Sequence, residues 1–315
     1  MTMKEEKSPF YRFMESVRNK KTYFWEWEHG NNGNRLITMG VQRILKETGC
    51  ELVESPEVGE QILTDGGGQF QDVFPRAFEK IAFLRREYPS LPIIMAPQIF
   101  GVRNVNFREI CEISKSPFIL FARDYISAES LREANLPACC QVHISQDPAF
   151  ELQGSDFITN LVQESSEKHV LVAMRKDDFI RKDKPRTARL LARAKGTWLP
   201  KKIRRPLSWV RDRLVATVSK DIITSILKQE KVGRELPKIY RDVSSSVSFE
   251  EFVAAIRDAA LIITDRLHVS VFGHLLGKRV VIVCGPGSVG EKLRSVYDFS
   301  MSGPDSRTSL YVTDG

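Results

Sequence analysis

No apolar run in this chain approaches the roughly 20 residues that a membrane-spanning helix needs. Its first residues, MTMKEEKSPF, hold no apolar core of the kind a secretory signal requires. A cytoplasmic protein is therefore expected. Cysteine is scarce: five residues, at positions 50, 111, 139, 140 and 284, an odd number with none at the spacing of a metal-ligand pair. They are expected as reduced thiols, and neither a disulfide scaffold nor a metal centre is expected. The Walker loop, the dinucleotide fingerprint and the nucleophile elbow are all missing, and nothing points to a redox cofactor. With 42% apolar and 28% charged residues the chain does not have the composition of a disordered protein either.

What is present is a chain of 315 residues with a net charge of +7 that is unevenly placed. Between Arg175 and Arg213 stand 15 basic and 4 acidic residues, while the rest of the chain carries 32 basic against 36 acidic. The basic character thus belongs to one insertion, 175–213, and to its partner. No nucleic-acid fold signature accompanies it, so nucleic acid is not expected as that partner. Within it lies WLPKKIRRPLSWVRDRL, residues 198–214. Pro206 suits the first turn of a helix, from which Leu207, Val210 and Leu214 share one face with Trp209 beside it. Apolar and aromatic residues flanked by Lys and Arg suit an anionic membrane surface, which would hold the protein peripherally at the inner face of the membrane. A solvated basic insertion and a patch for an acidic polysaccharide remain as alternatives.

Short apolar runs alternate with longer helical patterns, the mark of a parallel sheet covered by helices. In the first half, strands are expected at Thr22–Trp27, Gln61–Thr64, Pro92–Ala96, Phe118–Phe121 and Cys139–Ile144. Helices are expected at Arg35–Glu47, Val73–Glu87, Asn106–Ser114 and Tyr125–Ala134. Gly49 stands where the first helix wants a left-handed terminator. Residues 151–168 are polar and without periodicity and are expected to link a domain at 1–150 to one at 169–300. The second half reads as a strand at His169–Met174, helices near 185–195 and 214–229, and a strand near Lys238–Tyr240. It continues with a helix at Phe249–Asp258, a strand at Leu261–Thr264, a helix at Arg266–Leu276, a strand at Arg279–Cys284 and a helix at Val289–Tyr297, before a tail at 301–315. The fold class expected is α/β, with two Rossmann-like domains facing across a cleft beyond the carboxyl ends of their strands.

Three segments carry chemistry. In Ile262-Ile263-Thr264-Asp265-Arg266-Leu267-His268 a buried strand runs into a helix. Asp265 is expected as its N-cap, with Arg266 and His268 in the first turn, where a guanidinium, an imidazole and the positive helix end can meet an anion. In His29-Gly30-Asn31-Asn32-Gly33-Asn34 a glycine-asparagine loop opens onto a helix and suits a phosphate or sugar oxygen, with a tight turn as the plain alternative. In Asp65-Gly66-Gly67-Gly68-Gln69 three glycines after a strand leave the backbone open to a ligand. Asn31, Asn32, Gly33, Asn34, Gly66, Gly67, Gly68 and Asp265 are accordingly expected to bind substrate. Ala122-Arg123-Asp124 with Ser127, Gln146-Asp147-Pro148, and Arg175 with Asp177 are further polar groups at strand ends, each by itself more in keeping with an ion pair or a cap. His143, inside a strand, reads as a core residue.

In order along the chain, GNNGN, DGGG, ARD with its following serine, QDPAF, a strand-terminal arginine, and TDRLH before Leu276-Gly277-Lys278-Arg279-Val280-Val281 resemble the polysaccharide pyruvyltransferases. The resemblance spans roughly Asn31 to Lys292, and TDRLH with the glycine-lysine-strand unit is its most specific part. It implies a GT-B-like two-domain glycosyltransferase architecture. It also implies phosphoenolpyruvate as donor, no cofactor besides that donor, and as acceptor a sugar of a polysaccharide or of its lipid-linked precursor. It maps catalytic roles onto Arg266 and His268 and a donor-binding role onto Arg123. Asn34 stands where the family's glycine loop usually has Asp. A nucleotide-sugar-dependent glycosyltransferase and a catalytically silent glycan-binding protein are the alternative readings.

Overall fold

The computed structural model describes residues 7–27, 31–71, 75–102, 105–174, 221–231, 235–244, 247–285 and 288–313. The chain divides into two compact units, residues 1–164 with 295–304 and residues 165–294 with 305–315. Each is a parallel sheet carrying helices, so the class is mixed α/β.

The first unit runs α1 (Pro9–Ser16), β1 (Lys21–Trp25), α2 (Asn32–Thr48), β2 (Glu51–Val53), β3 (Gln61–Thr64), β4 (Gly67–Gln71), α3 (Pro75–Glu87) and β5 (Ile93–Gly101). It continues with α4 (Phe107–Glu112), β6 (Phe118–Ala122), α5 (Tyr125–Glu133), β7 (Cys140–Ile144), a 3₁₀ turn at Pro148–Leu152 and α6 (Asp156–Gln163). Its strands pair in the order β2-β1-β3-β5-β6-β7, all parallel, and β4 pairs with the far half of β5. The central strands are buried on both faces, which is why β6 reads as an unbroken apolar run and β3 has an apolar centre. Their side chains alternate between two cores. Leu63, Ile94, Ile119 and Phe121 meet Phe10 and Met14 of α1 and Val41 and Ile44 of α2. Ile62, Met95, Phe118 and Leu120 meet Phe78 and Ile81 of α3, Cys111 of α4 and Leu131 of α5. Gly49 ends α2 at φ 68°, the left-handed conformation expected of it.

The second unit runs β8 (His169–Ala173), a helix α7 over residues 221–229, β9 (Lys238–Tyr240), α8 (Phe249–Arg257) and β10 (Ala259–Thr264). It ends with α9 (Leu267–Leu275), β11 (Arg279–Cys284), α10 (Ser288–Ser300) and β12 (Thr308–Val312). The order is β12-β11-β10-β8-β9, again parallel throughout. Val170, Val172, Leu261, Ile263, Val281 and Val283 form one face of its core with Ile223 and Ile226. On α8 and α9, Phe252 and Phe272 stack at 5.5 Å.

Several expectations need correction. Residues 151–168 are not irregular: Ser155 caps α6, whose Ile158 and Leu161 are buried. Eight helical residues are too few for a periodicity to stand out. The stretch 301–315 is not a bare tail, because β12 completes the edge of the second sheet. β2 and β4 escaped notice because one has three residues and the other begins in glycine. α1 begins at Pro9, capped by the Ser8 side chain. The expected helix at 185–195, Arg175, Asp177 and the segment 198–214 lie outside the described residues. Among the described residues no helix is long and apolar enough to cross a membrane.

Candidate functional site

In the first unit the carboxyl ends of β3, β5, β6 and β7 gather Asp65 to Gly68, Gln98, Arg123 and Asp147. Arg123 leaves β6 with its N–H bound to the Gln98 carbonyl at 3.0 Å. Its side chain is 3% exposed, and Nη1 donates to Asp147 Oδ2 at 2.6 Å. Asp147 is fully buried and with Oδ1 accepts from the Ala149 N–H at 3.0 Å, so it is ion pair and cap at once. The Nε of Arg123 has no hydrogen-bond partner among the described residues, although buried polar groups are nearly always satisfied. A Cβ added to Gly68 would stand 3.9 Å from Arg123 Nη2, so the glycine strand and this arginine are neighbours.

The glycine segments differ from their sequence readings. Helix α2 begins at Asn32 and not at Arg35. Asn31 is its cap, Oδ1 accepting from the N–H groups of Gly33 at 2.9 Å and Asn34 at 3.1 Å. Asn32, Gly33 and Asn34 therefore form a helical first turn rather than an open loop, and two of its amides are already used. A strong asparagine cap outweighs the poor helix propensity of glycine and asparagine behind it. His29 and Gly30 lie outside the described residues.

After β3, the three glycines lead straight into β4. A Cβ on Gly66 would come within 2.8 Å of the Pro97 carbonyl and 2.9 Å of Ile37 Cγ2, so this residue is glycine because β3 packs closely on α2 and β5. Gly67 has φ +133°, a conformation that side chains rarely adopt. Only Gly68 has both ordinary space, with nothing nearer than 3.5 Å, and no such backbone constraint.

Asp65 is the residue that the sequence reading passed over. It is 2% exposed directly after a fully buried strand. Burial pushes its carboxyl up to about 7, against hydrogen bonds from Thr38 and the Gly66 N–H, with Glu26 and Asp147 raising it further. A carboxylate directly after a buried strand was the available signal, obscured by the glycines beside it.

In the second unit, β10 delivers Thr264, Asp265, Arg266 and His268. The helix starts one residue later than expected: Arg266 is the N-cap of α9, and Leu267 is its first helical residue. Asp265 is 5% exposed and stands one residue before the N-cap, and the Arg266 side chain makes no cap hydrogen bond to α9. Thr264 is used instead, its Oγ1 accepting from the Arg266 N–H at 2.9 Å and donating to the Ala173 carbonyl at 2.7 Å. This tie holds the chain extended through Arg266. The Arg266 guanidinium pairs with Asp242, which follows β9, and both side chains keep about a fifth of their surface exposed, 23% and 19%. Asp242 also accepts from the N–H and Oγ of Ser244. The Arg266 Nε has no hydrogen-bond partner among the described residues. His268 is half-buried in the first turn of α9, with Arg266 two residues before it.

The smaller signals are structural. Asp124 caps α5, and Ser127 ties that helix to the Phe100 N–H at 3.1 Å. His143 stacks on Phe121 at 5.0 Å. Among the described residues, no group of His, Cys, Asp and Glu side chains could hold a metal ion.

Two parallel α/β units, each with an arginine at a strand end, define a protein of the doubly wound class. The chain belongs to the polysaccharide pyruvyl transferase family, whose model matches residues 31–285, and is accordingly a transferase acting in polysaccharide chemistry. Among solved structures it is similar to a functionally uncharacterised protein of Klebsiella pneumoniae, with a TM-score of 0.58 and 16% identity over 96% of this chain and 97% of that one. That likeness concerns the fold alone. A UDP-GlcNAc 2-epimerase of Neisseria meningitidis aligns over 87% of this chain and 85% of its own at 11% identity and a TM-score of 0.39, too low to add to the argument. No curated protein matches the chain.

Proposed function

We propose that this protein transfers the pyruvyl group of phosphoenolpyruvate to a saccharide and joins it there as a ketal. The observation that carries the reading is the start of α9. Its N-cap is an arginine whose side chain makes no cap hydrogen bond and whose guanidinium is partly exposed beside Asp242, and a histidine stands in its first turn. Such an end favours anions. Phosphoenolpyruvate is an enol ester with a phosphate and a carboxylate. Ketal formation adds a proton to its terminal carbon and a sugar hydroxyl to its central carbon. Phosphate leaves and a second hydroxyl of the sugar closes the ring, so one phosphate is released per ketal. In this reading Arg266 binds an anionic group of the donor through a planar fork. His268 is the general acid or base, a role suited to imidazole near neutral pH. Arg123 is a further donor ligand, supported by its unpartnered Nε and by its place beside Gly68. Arginine side chains and a helix end stabilise the leaving phosphate electrostatically.

The test is phosphate release from phosphoenolpyruvate with a panel of saccharide acceptors, set beside nucleotide release from nucleotide sugars. Acceptor-dependent phosphate release with no nucleotide release is expected. The reverse would make the chain a glycosyltransferase, and glycan binding with neither would make it a binding protein. The reading includes a lipid-linked acceptor, presented at an anionic membrane surface that residues 198–214 would engage. Co-sedimentation with anionic vesicles, lost at high salt and weakened when Lys201, Lys202, Arg204 and Arg205 are changed to Glu, is then expected. Failure to bind anionic vesicles at low salt would remove the membrane from the reading.

A further inference from the structure

Asp65 is held from every side. Its N–H donates to the Trp25 carbonyl at 2.9 Å, and its own carbonyl accepts from Trp27 Nε1 at 2.8 Å and Gln98 Nε2 at 2.9 Å. Trp25 at the end of β1, Trp27 just after it and Gln98 within β5 thus fix the Asp65 backbone from both strands that flank β3. The carboxyl has two contacts of its own. Oδ1 accepts from the Gly66 N–H at 2.8 Å, and Oδ2 meets Thr38 Oγ1 on α2. Thr38 is 3% exposed, and the same Oγ1 lies 3.2 Å from the Asn34 carbonyl.

A threonine hydroxyl owns one proton. With an ionised Asp65 that single proton faces two acceptors, the carboxylate and the Asn34 carbonyl. With a protonated Asp65 both contacts are hydrogen bonds: the acid donates to Thr38 Oγ1, and Thr38 donates to Asn34. The charges nearby favour the same assignment. Asp147 and Glu26 are acidic, and Arg123, the cation at the neighbouring strand end, is bound to Asp147.

We propose that Asp65 is a positioning residue that works as a neutral carboxylic acid, its proton linking the Gly66–Gly68 segment through Thr38 to the first turn of α2. The idea that this linkage shapes donor binding rests on the pyruvyltransferase reading, whereas the protonation state does not. Ionisation removes one hydrogen bond from the link and adds a like charge beside Asp147 and Glu26, so the glycine segment and the start of α2 loosen together as the pH rises. The direct contact between them, Gly66 against Ile37, is where this would be felt.

The sign of the pH dependence follows from linkage. The acid is pushed up to about 7 in the folded chain, above an unfolded value of about 3.9. The folded protein thus keeps a proton that the unfolded chain has released. This stabilisation is complete below about pH 4 and is lost as pH rises past about 7. The experiment is thermal unfolding from pH 4 to 8.5 of the wild type, Asp65→Asn and Thr38→Val, with and without phosphoenolpyruvate. Asparagine can donate to Thr38 and accept from the Gly66 N–H at any pH. Relative to Asp65→Asn, the wild type should lose about 5 °C in Tm across this range. The rise in Tm given by phosphoenolpyruvate should fade above pH 7 in the wild type and persist in Asp65→Asn. Parallel Tm curves for wild type and Asp65→Asn would overturn the proposal. Should Asp65→Asn not fold, the wild type labelled with ¹³C-aspartate decides: an infrared band of a protonated aspartic acid at pH 6 that vanishes by pH 8.5 supports it, and no such band at pH 6 overturns it. If phosphoenolpyruvate shifts no Tm at any pH, the donor reading falls, and the Tm comparison still decides the state of Asp65.

Discussion

The two units present the same device, an arginine at a strand end paired with an aspartate that follows another strand, and bury it to different depths. Arg123 and Asp147 are 3% and 0% exposed, and the aspartate is also a cap. Arg266 and Asp242 are 23% and 19% exposed, at a helix start whose N-cap residue, Arg266, makes no cap hydrogen bond with its side chain. A buried ion pair is costly to break from one side, since the remaining charge is stranded. A partly solvated pair can exchange its partner for an anionic ligand at little cost to the fold. The first unit thus holds its arginine in the framework through the Asp147 pair, with Nε, unpartnered among the described residues, left to meet a ligand, and the second leaves its pairing open to exchange.

The largest effect expected is on the available side. His268→Ala should lower turnover by about 10²–10⁴ while Tm stays within a few degrees of wild type; unchanged turnover would remove His268 from the chemistry. Next in size is the contrast between the arginines in urea unfolding. Arg123→Ala should cost about 3–5 kcal/mol because it strands a buried Asp147. Arg266→Ala should cost about 1 kcal/mol. Equal losses would abolish the distinction between framework and available pair.

Arg266→Lys sharpens the same comparison. An ammonium cannot reproduce the guanidinium fork, so the KM for phosphoenolpyruvate should rise about tenfold, equivalent to roughly 1.4 kcal/mol. A KM equal to wild type would show that no bidentate contact is made there. Two glycine variants complete the comparison, with the smallest effect on folding at Gly68. Gly67→Ala should destabilise by about 1–3 kcal/mol through its backbone angle alone. Gly68→Ala, with ordinary space around it, should fold like wild type, so a loss of turnover in that variant reports a ligand close to the backbone.

Much of this was legible in advance. Gln61–Thr64 and Arg279–Cys284 are legible because each holds a short apolar run, Ile62–Leu63 and Val280–Cys284, buried inside its sheet. Gly49 was read as a terminator because a left-handed position all but demands glycine. The segment TDRLH was placed correctly at a strand end, yet its cap was misassigned. Asp265 is as good a cap by residue type as any, and only the Thr264 contact to the Arg266 N–H, made while Thr264 is anchored to Ala173 on a neighbouring strand, keeps the chain extended for one residue more.

By itself, then, the sequence determined the class of fold, the order of its main elements and the family, because periodicity and motif order are properties of the chain read locally. Tertiary structure alone decided which arginine–aspartate pair is buried and which is partly exposed, that Asn31 is spent on a cap, and that Asp65 is a buried acid. Burial, the sharing of one hydroxyl proton and the supply of partners from residues such as Asp147, Asp242 and Thr38 all depend on groups far apart in sequence, and neighbours of that kind leave no local pattern to read.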